Sequence, residues 1–139
     1  MGRILIELTA SRSELGVRLL IWKPALSING SLNFLTQRVQ SWFERTPVKF
    51  RLDDSVPFGA CHHQKVVVIA NRLAFCGGGD IVTNRWDTPA HLHNDPRRIQ
   101  PEQSRYPARH EVMMMVDGQA AEALGDLFRE RWAMPPTKF

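Results

Sequence analysis

The stretch Cys61-His62-His63-Gln64-Lys65-Val66-Val67-Val68-Ile69-Ala70 decides how the rest of this chain is read. Its four successive β-branched residues, Val66 to Ile69, suit a strand over Gln64 to Ala70 that is covered on both faces, hence a central one. Asn71-Arg72 then reads as a tight turn into a partner strand, Leu73 to Cys76. Alternate residues of a strand leave the same face, so His63 and Lys65, two apart at its start, direct an imidazole and an ammonium toward one spot. Such a pair suits a phosphodiester: the ammonium offsets charge on the non-bridging oxygens, while the imidazole attacks phosphorus or moves a proton to the leaving oxygen. This chemistry asks for no metal ion and no cofactor. Gly77-Gly78-Gly79-Asp80 follows the second strand. Gly77 and Gly78 leave backbone amides open to an anion, and Asp80 is placed to orient a cation or an imidazole.

Working outward toward the N-terminus, Ile4, Leu5, Leu8 and Leu15 predict a helix over about residues 3 to 15 stopped by Gly16, and Val17 to Trp22 a buried strand. After turns at Lys23-Pro24 and Asn29-Gly30, the spacing of Leu32, Leu35, Val39, Trp42 and Phe43 predicts one apolar helix face. Val48, Phe50 and Leu52 alternate with Lys49, Arg51 and Asp53, a strand with one buried and one wet face. On the other side, Asn84 to Arg109 has no periodicity and carries four prolines, so it reads as one long irregular loop. His110 to Val116 is a further strand. Asp117 then caps a helix whose Ala120, Leu124, Leu127, Phe128 and Trp132 share a face, ended by Pro135-Pro136. Helices alternating with strands and then a hairpin predict a layered α/β/α domain on a mixed sheet, and opening on a helix leaves that sheet incomplete at the N-terminus.

With 139 residues, 43% of them hydrophobic and 23% charged, the chain has the composition of a single soluble domain spanning 1–139 rather than a disordered tail or a disulfide miniprotein. Nothing at the N-terminus reads as a secretory signal, no apolar run approaches the length of a membrane span, and Cys61 and Cys76 read as free thiols. A cytoplasmic protein, at most peripheral to a membrane, is expected. The net charge of +4 favours phosphate-bearing partners, nucleic acid or anionic lipid alike.

Other features have plainer readings. His91-x-His93 has metal-ligand spacing but no accompanying cluster, so it reads as a solvated loop. Met113-Met114-Met115, Trp22, Trp42, Trp132 and Cys76 read as core packing. Arg97, Arg98, Arg105 and Arg109 read equally as a grip on phosphate or as a solvated basic loop. Gly77-Gly78-Gly79 is neither a Walker loop nor a dinucleotide fingerprint.

Taken together, these residues resemble the phospholipase D superfamily, whose signature is H-x-K-x4-D followed by six residues and a Gly-Gly pair. His63, Lys65, Gly77 and Gly78 stand at the matching places. The resemblance continues through Asp80, Arg85-Trp86-Asp87, His110-Glu111, Gly118 and Arg131-Trp132, most of the chain. It implies a phosphodiesterase or phosphatidyltransferase in which two such motifs meet, one histidine forming a phosphohistidine and the other acting as general acid. Carried onto this chain, His63 is the catalytic histidine, Lys65 holds phosphate, Asp80 assists, and Gly77 and Gly78 border the phosphate.

Two departures accompany it. Ala70 stands where the signature has its acid, with Asp80 or Asp87 as substitutes, and one motif is present where the family has two. The chain therefore reads as an N-terminal half whose second histidine comes from a separate half-domain or a homodimer partner. A phospholipid headgroup ester is the expected substrate, with peripheral membrane contact. The alternatives are an inactive phosphate- or lipid-binding remnant, or a homodimeric nuclease, ranked last because Arg85-Trp86-Asp87-Thr88-Pro89 resembles the lipid-acting branch.

Overall fold

The computed structural model describes residues 2–23, 38–57 and 60–135. They divide into two compact units, one of Met1–His63 with Asp126–Phe139 and the other of Gln64–Gly125. Helices occur together with parallel and antiparallel strand pairs, the α/β character expected of the sequence, and among the described residues the two kinds of pairing lie in separate sheets.

In the first unit, helix α1 spans Gly2–Ser11. It is shorter than the apolar spacing suggests, because Ile4 and Leu15 are exposed and the buried member is Thr9. A hydroxyl can take that place because it donates back to the carbonyls of Leu5 (2.9 Å) and Ile6 (3.0 Å), leaving no unpaired polar group in the core. Strands β1 (Arg18–Trp22) and β2 (Lys49–Asp53) pair in parallel from Arg18 opposite Lys49 to Trp22 opposite Asp53. Amide bonds from Lys49 to Val17 and from Lys23 to Asp53 extend the ladder beyond both ends.

The expected wet face of β2 is corrected at Asp53, which is buried because a cation from the C-terminal helix reaches it, as described below. Residues 38–43 are helical. Leu32, Leu35 and the Asn29-Gly30 turn, expected to precede that stretch, lie outside the described residues. Phe43 and Val48 form the apolar centre of this unit, with Phe43 stacked on Phe50 at 5.8 Å between ring centroids. Trp42 is not core: it is more than half exposed and leans over Gly2, whose missing side chain makes room for the indole.

In the second unit, β3 (Lys65–Ile69), β4 (Leu73–Gly77) and β5 (Met113–Asp117) form an antiparallel sheet in the order β3-β4-β5. β3 is therefore an edge strand among the described residues, with Val67 and Ile69 exposed, and not the expected centre. A β-branched run specifies extended backbone; the strand flanked on both sides is β4, whose Ala74 is fully buried. The turn lies where the sequence placed it, one residue wider. Ala70 (φ 50°) and Asn71 (φ 55°) are both left-handed, and the Arg72 amide closes the loop on the Ile69 carbonyl at 3.0 Å. Ile69 pairs with Leu73, so three residues, Ala70 to Arg72, make the loop.

The Met113 to Met115 row is corrected as well: these side chains are 39%, 60% and 66% exposed, on a strand that lies at the other edge of the sheet among the described residues. Helix α2 spans Gly118–Ala133. Its start follows Asp117 directly, and Gly118 makes the strand-to-helix bend at φ 54°. Ala121 and Gly125 are buried while Ala120 is exposed, so the inward face is turned by one residue from the expected one at its N-terminal end.

Alanine is poorly suited to the left-handed region, where asparagine and glycine are at ease. Ala70→Asn and Ala70→Gly are each expected to raise unfolding stability by about 1 kcal/mol in urea denaturation. Gly77→Ala is expected to lower it by roughly 3 kcal/mol, because a Cβ there would lie 2.2 Å from the Val112 carbonyl oxygen and 2.8 Å from the Met113 Cα of β5.

Candidate functional site

Lys65 opens β3 directly opposite Gly77 at the end of β4. The glycine leaves the sheet surface beside the lysine without a side chain. Asp80, three residues beyond Gly77, brings Oδ1 to 3.4 Å from the Lys65 ammonium. A 3₁₀ turn over Thr83–Arg85 then folds the chain back, so that Arg85 donates from Nη2 to Asp80 Oδ2 at 3.1 Å. The same guanidinium donates from Nη1 to Asn84 Oδ1 at 2.6 Å, and its Nε is buried with no hydrogen-bond partner among the described residues. Two cations thus share one carboxylate. Partial burial pushes the Asp80 pKa up, but the Arg85 hydrogen bond and the charge of Lys65 outweigh it and hold the group below its ordinary value of 3.8.

The remaining site residues named from the sequence fall as follows. β3 begins at Lys65, so His63 lies in the irregular segment before it and is exposed. The strand alternation that argued for a shared face does not reach His63, which belongs to the first unit while Lys65 belongs to the second. The Gly78 amide donates to the Val112 carbonyl at 3.0 Å, continuing the ladder to β5, and the Glu111 carboxylate lies where a Gly78 side chain would be. Asp80, not Asp87, is the carboxylate beside Lys65.

Asp87 serves the loop instead. Its Oδ1 accepts from Arg98 Nη1 (2.9 Å) and from the Thr88 amide (2.8 Å), and its Oδ2 lies 3.0 Å from His91 Nδ1. The His91 hydrogen bond and that of the Thr88 amide lower its pKa despite an opposing contribution from burial. Ala70 is at the far end of β3 from Lys65, about 16 Å away at strand rise, so a side chain there shapes the hairpin and not the surroundings of the ammonium.

Sequence reasoning missed three groups. Arg85 was quoted without a role; its only signal was an acidic residue five positions earlier. Asp53 and Arg131 form the second. The buried Asp53 carboxylate accepts at Oδ2 from Arg131 Nε at 2.9 Å and again from Arg131 Nη2, and at Oδ1 from the Ser55 amide at 3.1 Å. His62 Nε2 lies 3.6 Å from the same Oδ2. Burial raises the Asp53 pKa, and the Arg131 hydrogen bond with the Ser55 amide more than reverses that. This cluster holds His62, the residue next to His63. The third is the anchoring role of Arg98, which the sequence offered equally as a grip on phosphate or a solvated loop residue and which is buried against Asp87.

Among the described residues no group of three or more His, Cys, Asp or Glu could hold a metal ion, His91 and His93 included, and no helix is long and apolar enough to cross a membrane. Cys61 and Cys76 are free thiols.

No family model matches the chain. Among curated proteins it is similar to phospholipase D beta 2 of Arabidopsis thaliana, 28% identical over 91% of this chain. It is equally similar to phospholipase D gamma 2 of the same plant, again 28% over 91%, and to phospholipase D C of Dictyostelium discoideum, 28% over 84%. The chain spans 18%, 20% and 9% of the lengths of these relatives, respectively. These likenesses support the phospholipase D superfamily and nothing finer.

A pH dependence follows for the loop. Asp95 accepts from Arg97 Nε (2.9 Å), Nη2 (2.6 Å) and the Arg97 amide (2.9 Å), and these bonds hold its pKa down at about 2 against the ordinary 3.8. A carboxylate with a depressed folded pKa contributes fully above its unfolded value and loses that contribution as pH falls through the folded one. Arg97 also lies over the Trp86 ring, 5.2 Å from its centroid. The Trp86 indole NMR signal is therefore expected to stay constant above pH 4 and to move between about pH 4 and pH 2.

Proposed function

We propose that this chain is one half of a phospholipase D-type phosphodiesterase, in which Lys65 and Arg85 hold the phosphate and His63 is the nucleophile. The observation that carries the reading is the Lys65–Asp80–Arg85 cluster beside the side-chain-free Gly77, two residues beyond His63 in the chain. An ammonium and a guanidinium oriented by one carboxylate form a prearranged anion site, and the buried, unpartnered Arg85 Nε–H adds a donor that an oxyanion satisfies. Gly77 and Gly78 border this site, with the β5 backbone filling the space beside Gly77 and the Glu111 carboxylate that beside Gly78.

In the first step His63 attacks phosphorus, a P–N bond forms and the P–O bond to the headgroup alcohol breaks. The departing oxygen takes a proton from a second histidine. In the second step that histidine, now neutral, accepts a proton from water as its oxygen attacks phosphorus and the P–N bond breaks. An alcohol in place of water gives transfer. The second histidine is supplied by another copy of the chain or by a separate half-domain.

A phospholipid is favoured over nucleic acid as substrate because Ile81 and Val82, immediately after Asp80, are 55% and 54% exposed. Apolar side chains bordering a cluster that carries two cations suit the boundary between headgroups and acyl chains. The same residues give a peripheral membrane contact, and the inactive lipid-binding remnant is the second reading, motivated by the single motif.

The purified chain is expected to sediment as a dimer and to hydrolyse bis(4-nitrophenyl) phosphate, with His63→Asn reducing turnover on the order of a thousandfold. Phosphatidylcholine vesicles are expected to be cleaved in preference to single-stranded DNA at equal salt. A dimer that binds vesicles without turnover supports the remnant instead. A monomer that neither cleaves nor binds refutes both readings.

A further inference from the structure

We propose that the loop between the second and third strands of the antiparallel sheet carries a second anion site, a cavity around Arg98 that takes a phosphate group, free or as a monoester. The cavity, about 210 Å³, is lined by His93, Asn94, Asp95, Arg98, Arg105 and Tyr106 among others, and by none of His63, Lys65 or Asp80. The proposal stands independently of the catalytic reading above.

Arg98 is 1% exposed. Its Nη1 donates to Asp87 and its Nη2 to the carbonyls of Leu92 and His93, so three bonds fix the guanidinium against the loop. Its Nε–H is buried with no partner among the described residues. A buried donor left unpaired is costly, and an oxygen of a bound anion is one group that satisfies it. Arg105, exposed on the same lining, makes no ion pair among the described residues, and the backbone bridge between Ile99 and Arg105 fixes its place.

The one carboxylate named in the lining, Asp95, is already neutralised by the two-pronged hydrogen bond from Arg97. The balance of charge facing the cavity is therefore positive, and a cation has no free carboxylate to bind. A buried N–H with an unpaired guanidinium and the Asn94 amide offers donors to several oxygens of one group, which suits phosphate. Of the loop arginines, Arg97 is thus engaged by Asp95, while Arg98 and Arg105 are the pair that meets the anion.

The test is a titration with inorganic phosphate, and in a parallel arm with glycerol 3-phosphate, followed by the Nε–Hε NMR signals of the arginines. The full chain and its Arg105→Ala and Lys65→Ala variants are compared. The Arg98 Nε–Hε signal is expected to shift saturably in the full chain and in Lys65→Ala, with affinity at least tenfold weaker in Arg105→Ala. Tighter binding in the glycerol 3-phosphate arm assigns the site to a monoester, and equal or tighter binding of phosphate to the free ion. An Arg98 signal that does not move at saturating ligand overturns the proposal, as for a cavity filled by water. So does full affinity in Arg105→Ala, or binding lost in Lys65→Ala alone.

Discussion

The close approach of β5 to the end of β4 is the constraint on which the candidate site rests. At Gly77 the neighbouring backbone occupies the space that any side chain would need, and the next amide, that of Gly78, is already bonded to it. Register follows: Lys65, Gly77 and Met113 lie in one row across three strands. The lysine therefore stands beside close-packed backbone and no side chain, and the chain leaving Gly77 reaches Asp80 within three residues. Glycine here is required by the neighbouring strand, whose backbone fills the space a side chain would take.

Charge pairing does much of the work that an apolar core does elsewhere. The fully buried hydrophobic residues among those described are Phe43, Val48, Ala74 and Ala121, whereas Asp53, Asp95 and Arg98 are buried as charged groups. Each has a partner: Asp53 with Arg131, Asp95 with Arg97, Arg98 with Asp87. Removing one member of such a pair leaves its partner uncompensated, which destabilises most where both groups are sheltered from water, as for Asp53 and Arg131. The irregular loop is thus held by a few directional contacts, and its shape depends on them more than on hydrophobic area.

The parts of this fold that were legible in the sequence are local. The hairpin could be read from a β-branched run followed by Asn71, and α2 from its periodicity, because both signals lie within a few residues of the structure they specify. The pairing of β1 with β2 and the choice of edge strands depend on partners distant in sequence. So Val67, Ile69 and the methionine row were expected inside and lie outside. Lys65 and Asp80 were legible as a pair through the glycines between them. Asp53 and Arg131, 78 residues apart, carry no local signature, and neither did Arg85, whose approach to Asp80 depends on a single 3₁₀ turn.

The methionine row on β5 has a consequence for how the protein ages. Thioethers in contact with solvent are the ones that oxidants reach, and conversion to the sulfoxide replaces an apolar group by a polar one. In a packed interior that change disrupts the fold. At Met114 and Met115, which already face water, it leaves the strand ladder intact and makes only the outer surface of the sheet more hydrophilic.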